Sequence, residues 1–356
     1  MENMVIDQSF WKGKKAFLTG HTGFKGGWLA LWLANMGAEV YGYALEPPTV
    51  PNFFTVCDLQ SRLTGHNVAD IRDPLRLTEA LQAAEPDIVF HLAAQPLVRH
   101  SYSAPAETYA VNVMGTVNLL EAVRTTPAIK AVVNITTDKC YENREWVWPY
   151  RENEVLGGHD PYSSSKACSE LVTAAWRQSF MKSAGIFLAS ARSGNVIGGG
   201  DWADDRLIPD FLRALDAQET LSIRSPHATR PWQHVLEPLS GYLLLAEALY
   251  EKGEPFADAW NFGPEDRDAR SVQWIVDHLC NNISGAEWKC EPSALLHEAT
   301  TLKLDISKAK TMLGWVPRWA LQTALDMTLS WHRAWKQKEN MAAFSIEQIH
   351  RYETAG

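Results

Sequence analysis

Apolar residues in the first half of this chain fall into short runs that alternate with stretches of helical spacing. The runs at 16–19, 39–43, 64–68, 87–92, 131–136 and 187–191 are bounded by turn residues, which predicts buried strands. Between them, 24–36, 74–84, 105–124 and 161–181 repeat their apolar positions every three or four residues, which predicts helices. Strict strand–helix alternation predicts an α/β fold: a doubly wound parallel sheet of the Rossmann type, with ligands at the carboxyl ends of its strands. From Gly194 the alternation stops. GNVIGGGDW opens a region of scattered helices and short strands, and the chain ends in a polar helical tail. The pattern therefore divides into a dinucleotide-binding domain over 1–193, with a return segment near 231–262, and a smaller mixed α/β lobe over 194–356 for the substrate.

The first strand runs into Gly20, Gly23 and Gly26 and then directly into a helix. Glycines in that turn let backbone approach a pyrophosphate, and the N–H groups at the helix start favour its charge. Gly20, His21, Thr22, Gly23, Phe24 and Lys25 are thus candidate cofactor contacts. An imidazole at His21 would either crowd the pyrophosphate or hydrogen-bond it. Asp70 and Ile71 end the third strand, where they would bracket an adenine; Asp70 reads equally well as the cap of the next helix. HLAAQ ends the fourth strand: Leu92, Ala93, Ala94 and Gln95 would lie along the ribose and phosphates, and His91 reads as a satisfied strand-end histidine. Tyr43-Ala44-Leu45-Glu46 ends the second strand without an acid at the place of the usual ribose partner, and without an arginine for a 2′-phosphate. That selects NAD over NADP.

Composition narrows the partners. A net charge of −9 without basic clusters argues against nucleic acid and anionic membranes, and no apolar run reaches a membrane span. The N-terminal residues lack the apolar core of a signal peptide, which places the protein in the cytoplasm. Five scattered cysteines without a CxxC pair fit a reducing compartment, and the eleven histidines form no cluster, so no metal is expected.

Chemistry concentrates at the fifth strand, where Thr136, Thr137, Asp138 and Lys139 emerge together, and at the following helix, which carries Tyr162 and Lys166. Spaced i,i+4, these two share a helical face, where an ammonium would lower the phenol's pKa from about 10. A phenolate can take a hydroxyl proton while a nicotinamide takes the hydride. The ordered set of glycine turn, Asp-Ile, HLAAQ, TTDK and YxxxK resembles the extended short-chain dehydrogenases/reductases, and specifically the nucleotide-sugar 4,6-dehydratases. The likeness continues through ARSGNVIGGGDW, RPWQHVLEPL, WNFGP and LDISKAKTMLGWVPRW. Within that family GHTGFKGGW, TTDKCY and RPWQHV look most like the members acting on CDP-D-glucose.

The resemblance implies a lyase with a recycled NAD, serving deoxysugar and lipopolysaccharide synthesis. Thr136 or Thr137 would hold the sugar 4-hydroxyl and Tyr162 would deprotonate it, with Lys166 tuning Tyr162 and holding the nicotinamide ribose. Asp138 would protonate the departing 6-hydroxyl, and Lys139 would take the C5 proton or stabilise an enolate. Asn195, Arg206 and Arg230 would meet the nucleotide sugar's diphosphate or base, and His234 would be a substrate or a structural residue. The helices at 105–124 and 161–181 would pair into a homodimer or a larger assembly. Two other functions fit parts of the pattern: a nucleotide-sugar 4-epimerase, with no use for Asp138 and Lys139, and a non-catalytic NAD sensor.

Overall fold

Seven parallel strands form the central sheet of the computed structural model, which describes residues 6–291 and 301–355. They are β1 (Lys15–Thr19), β2 (Glu39–Ala44), β3 (Gly65–Val68), β4 (Ile88–His91), β5 (Ala131–Ile135), β6 (Phe187–Ser193) and β7 (Ala259–Phe262). Their order is β7-β6-β5-β4-β1-β2-β3. The order reverses between β1 and β4, where the register sets Thr19 opposite His91, and a crevice opens there beyond the strand ends. Each strand expected from the apolar runs is present, with ends moved by no more than two residues.

Helix α1 (Phe24–Asn35) crosses one face of the sheet, where Trp28 through Leu33 are all buried. A helix apolar all round must be covered all round. α6 (Leu236–Lys252) covers one flank, and the C-terminal helices α7 (Leu321–Lys336) and α8 (Met341–Thr354) join the same core. The tail that reads as polar thus folds back onto the dinucleotide half: the Trp32 indole donates to Glu353 at 2.9 Å. α2 (Pro74–Ala84), α3 (Gly115–Arg124) and α4 (Pro161–Trp176) cover the opposite face, with Leu77, Leu81, Leu119 and Val123 in its core. The stretch 105–124 is not one regular helix: a widened π turn at Ala110–Met114 separates Pro105–Tyr109 from α3. The lobe holds α5 (Leu207–Ala217) and the short strand Leu221–Ile223, paired to Trp288–Cys290, around a core of its own. No helix among the described residues is long and apolar enough to cross a membrane.

Glu247 on α6 docks the N-terminal segment, accepting hydrogen bonds from the Trp11 indole (2.6 Å) and the Asp7 backbone (3.2 Å). Burial pushes its carboxyl up to about 8 from an ordinary 4.5. A raised acid means that the folded chain holds a proton which the unfolded chain releases between those values. Its contribution is complete below pH 4.5 and is lost as pH rises to about 8. Thermal melts of Glu247→Gln, which keeps the acceptor but cannot ionise, should fall less steeply with pH over that window than the wild type's. Parallel curves would disprove the assignment.

Candidate active site

The crevice is a cleft of about 770 Å³, walled by the ends of β1, β2, β4, β5 and β6 on one side and by the lobe on the other. At its dinucleotide end Gly20 adopts φ +77°, and a Cβ there would lie 2.7 Å from the Ala93 backbone nitrogen. A Cβ on Gly26 would meet the Gly20 carbonyl at 2.1 Å. The turn therefore rests against HLAAQ and the first turn of α1, with no room for side chains at either glycine. No side chain caps α1 at Gly23, which leaves its first N–H groups for an anion. Thr22, Phe24, Lys25, Asp70, Ile71, Leu92, Ala93 and Ala94 all line this end. The Lys25 ammonium donates to Ser193 Oγ (2.9 Å) and Tyr242 Oη (3.1 Å), and burial pulls its pKa down to about 7. Asp73, not Asp70, caps α2, so the helix-cap reading of Asp70 falls away; Asp70 instead holds Arg72. Glu46, one residue past Leu45, also stands on the cleft wall.

Three expected contacts are elsewhere. The His21 ring turns under β2, its Nε2 2.8 Å from His66 Nδ1 and beside Phe54, in the notch left by Gly42. It neither crowds nor bonds the cleft, and burial beside a second imidazole pushes it down to about 3. Gln95 spends its side chain on the Leu97 backbone and the Thr108 hydroxyl, closing the loop after β4. His234 is buried against Trp28 and Trp319, accepts the Leu236 N–H and does not line the cleft. His91, held between Thr19 and Thr116, is the satisfied strand-end histidine expected.

The chemical groups gather where β5 ends. Thr136 gives its hydroxyl to Glu170, which also accepts from Ser190 (2.6 Å) and pairs with Arg192 (2.8 Å), all buried. Thr137 donates to Asp138 Oδ1 at 2.9 Å and accepts the Lys139 N–H. Asp138 Oδ2 is buried with no hydrogen-bond partner, in space that a Cβ on Gly194 would narrow to 3.0 Å. Burial raises the Asp138 carboxyl above its ordinary range, only partly offset by Lys139, Thr137 and Arg230.

Opposite stands α4, capped by Asp160 on the Ser163 N–H, with Pro161 at its first position. Tyr162, Lys166 and Glu170 follow at intervals of four on one face of this helix. The Lys166 ammonium reaches the Ile135 carbonyl at 3.4 Å, and burial pulls it down to about 8. The expected lowering of the Tyr162 phenol is not found: burial and the nearby Asp138 push it up to about 12, against a hydrogen bond with Thr137. Lys139 Nζ lies 6.0 Å from the Tyr162 ring centroid. Asn195, Arg206 and Arg230 line the lobe side, with Arg206 braced by Asp201 at 2.8 Å. The buried Glu170–Arg192 pair escaped the sequence reading, although Glu170 stands in register with Tyr162 and Lys166.

The family described as GDP-mannose 4,6 dehydratase matches this chain over residues 17–328. The chain belongs to that family. The CDP-glucose 4,6-dehydratase of Salmonella typhimurium (strain LT2) is 54% identical over 357 residues, covering 99% of each chain. The dTDP-glucose 4,6-dehydratase of Escherichia coli is 25% identical over 79% of this chain and 83% of its own. Among solved structures, MoeE5 in complex with UDP-glucose and NAD superposes with a TM-score of 0.76 at 23% identity, covering 90% of this chain and 99% of its own. The dTDP-glucose 4,6-dehydratase of Bacillus anthracis in complex with NAD gives 0.74 at 20% identity, covering 93% and 100%. These two share the fold. As a 4,6-dehydratase, this enzyme is a hydro-lyase. A 4,6-dehydratase must deliver a proton to a leaving hydroxyl, and the cleft holds a buried acid beside its phenol.

Proposed function

We propose that this enzyme converts CDP-D-glucose to CDP-4-dehydro-6-deoxy-D-glucose with a retained NAD, a cytoplasmic step toward deoxysugars of lipopolysaccharide. One observation carries the reading: Asp138 is buried, lacks a partner at Oδ2 and is raised in pKa, which suits a general acid and serves no purpose in an epimerase or a sensor. The full-length likeness to the Salmonella enzyme supports CDP-glucose as the substrate.

The glycine turn, with backbone clashes waiting for any Cβ at Gly20 or Gly26, suits a pyrophosphate, with Asp70, Ile71, Ala93 and Ala94 toward the adenosine. A bound NAD would supply the hydride acceptor for C4 and the hydride donor for C6. Tyr162 removes the 4-hydroxyl proton while Thr137, hydrogen-bonded beside it, orients that hydroxyl. Thr136 is committed to Glu170 and acts below the site. Lys166 shares the face of Tyr162 and holds the nicotinamide ribose. Oxidation at C4 acidifies C5, where Lys139 as a neutral amine takes the proton and later returns it to C5, or as an ammonium stabilises the enolate, and Asp138 protonates the 6-hydroxyl as it leaves as water. Asn195, Arg206 and Arg230 hold the nucleotide diphosphate.

Mixing the enzyme with NAD⁺ and CDP-D-glucose tests the proposal. A 4-keto-6-deoxy product is expected; a C4 epimer or no turnover would overturn it.

The same reading includes a homodimer. Met114, Leu171 and Phe180 are exposed by 51%, 59% and 41%, Leu171 on α4 itself and the other two on the π turns beside α3 and α4, beyond what the sheet covers. Sedimentation should give a dimer or a multiple of it, and Leu171→Glu should shift it toward monomer. A monomer mass at every concentration would refute this.

A further inference from the structure

The lobe side of the cleft is formed in part by the loop from Asp201 to Arg206 and by Arg224, which follows the strand Leu221–Ile223. Asp205 stands in that loop with a left-handed backbone, φ +59°, which few residues other than glycine, Asn and Asp adopt. Two guanidinium groups reach its Oδ1: Arg99 at 3.4 Å, from the helix Val98–Ser103 of the dinucleotide half, and Arg224 at 3.2 Å. All three residues line the cleft. Arg99 Nε is buried and has no acceptor.

Other acids on this wall are spent: Asp201 braces Arg206, while Asp204 and Asp210 pair with Arg213. Glu46 and Asp70 belong to the dinucleotide end, and Asp138 and Asp160 to the chemical centre. Asp205 is paired as well, but both of these ion pairs fall on Oδ1, which leaves Oδ2 as a carboxylate acceptor with guanidinium donors at its side.

We propose that Asp205, positioned by Arg99 and Arg224, reads the 4-amino edge of the substrate's cytosine. Cytosine presents an N4–H donor beside the N3 acceptor. Uracil and thymine present the reverse, an O4 acceptor beside an N3–H donor. A carboxylate accepts from N4 while an arginine donates to N3, whereas uracil sets O4 against the carboxylate and N3–H against the guanidinium. The arrangement therefore selects by repulsion as well as by attraction. This inference rests on CDP-glucose as substrate, and it accounts for a choice of base that no sequence motif explained.

The test is calorimetric titration of CDP and of UDP into the enzyme and into Asp205→Asn. The wild type should bind CDP more tightly. The amide keeps the size and tolerates the left-handed backbone, yet it can turn its NH₂ toward O4. The preference for CDP over UDP should then fall by roughly 10–100-fold, with UDP gaining in absolute affinity. A parallel assay should show the same fall in the ratio of kcat/KM for CDP-glucose over UDP-glucose. A wild type that binds both nucleotides alike overturns the inference, as does an unchanged ratio in the variant or an equal loss for both nucleotides. A wild type that prefers CDP but does not dehydrate CDP-glucose sinks the proposed function and spares the base reader. Should Asp205→Asn fail to fold, as judged by its melt, Arg99→Gln with Arg224→Gln frees the carboxylate from its place and must lower the same ratio.

Discussion

Tyr162→Phe is expected to cut turnover of CDP-D-glucose by about 10²–10⁴-fold, the usual contribution of a positioned general base. That corresponds to roughly 3–5 kcal/mol of barrier. The variant loses one oxygen, which stands beside the Thr137 hydroxyl. The ring stays packed at the start of α4, and the Asp160 cap and Pro161 that set the helix are untouched. Nucleotide-sugar affinity should therefore hold while kcat falls. Because burial holds the phenol near 12, removing its proton limits the rate below that pH, so wild-type kcat should rise with pH through neutrality. Stopped-flow absorbance of reduced nicotinamide checks the oxidation step directly. A Phe variant that oxidises C4 at the wild-type rate would remove Tyr162 from the mechanism.

Asp138→Asn should separate the two halves of the reaction. The amide oxygen can still accept the Thr137 hydroxyl, and the side chain still fills the space beside Gly194. What disappears is the transferable proton. C4 oxidation should continue while water loss slows by about 10²–10⁴-fold. Reduced nicotinamide should then accumulate, visible by its absorbance, together with a 4-keto sugar that retains its 6-hydroxyl. Loss of the oxidation step with no accumulation would reject Asp138 as the acid.

Local pattern made much of this molecule legible. The strand–turn–helix at Gly20–Gly26 could be read because neighbouring residues impose it: an apolar run, glycines three apart, then an apolar helix. TTDK and YxxxK were legible for a related reason, since strand ends and helical spacing decide where those groups point. What stayed hidden depends on distant partners. His21 turns away from the cleft because Gly42 leaves a notch and His66 offers a nitrogen, both on other strands. His234 and Gln95 were lost to the cleft in the same way, to Trp28 and Trp319 and to Thr108. The upward Tyr162 shift follows from burial in the assembled cleft and from Asp138 at the end of another element, neither of which helical spacing reveals. The tail reads as helical but polar, and the buried faces with which its two helices close the core over α1 were not legible.

The order in which the sheet is assembled carries a consequence for synthesis. One of its two outermost strands, β7, comes from Ala259–Phe262, more than sixty residues after β6 ends at Ser193. A nascent chain that has left the ribosome only as far as β6 therefore exposes a bare strand edge, a template for pairing with another chain. α6 must also arrive before the face of α1 is covered. The dinucleotide half thus cannot finish folding until much of the lobe has been translated, and a fragment cut at residue 193 should aggregate rather than stand alone.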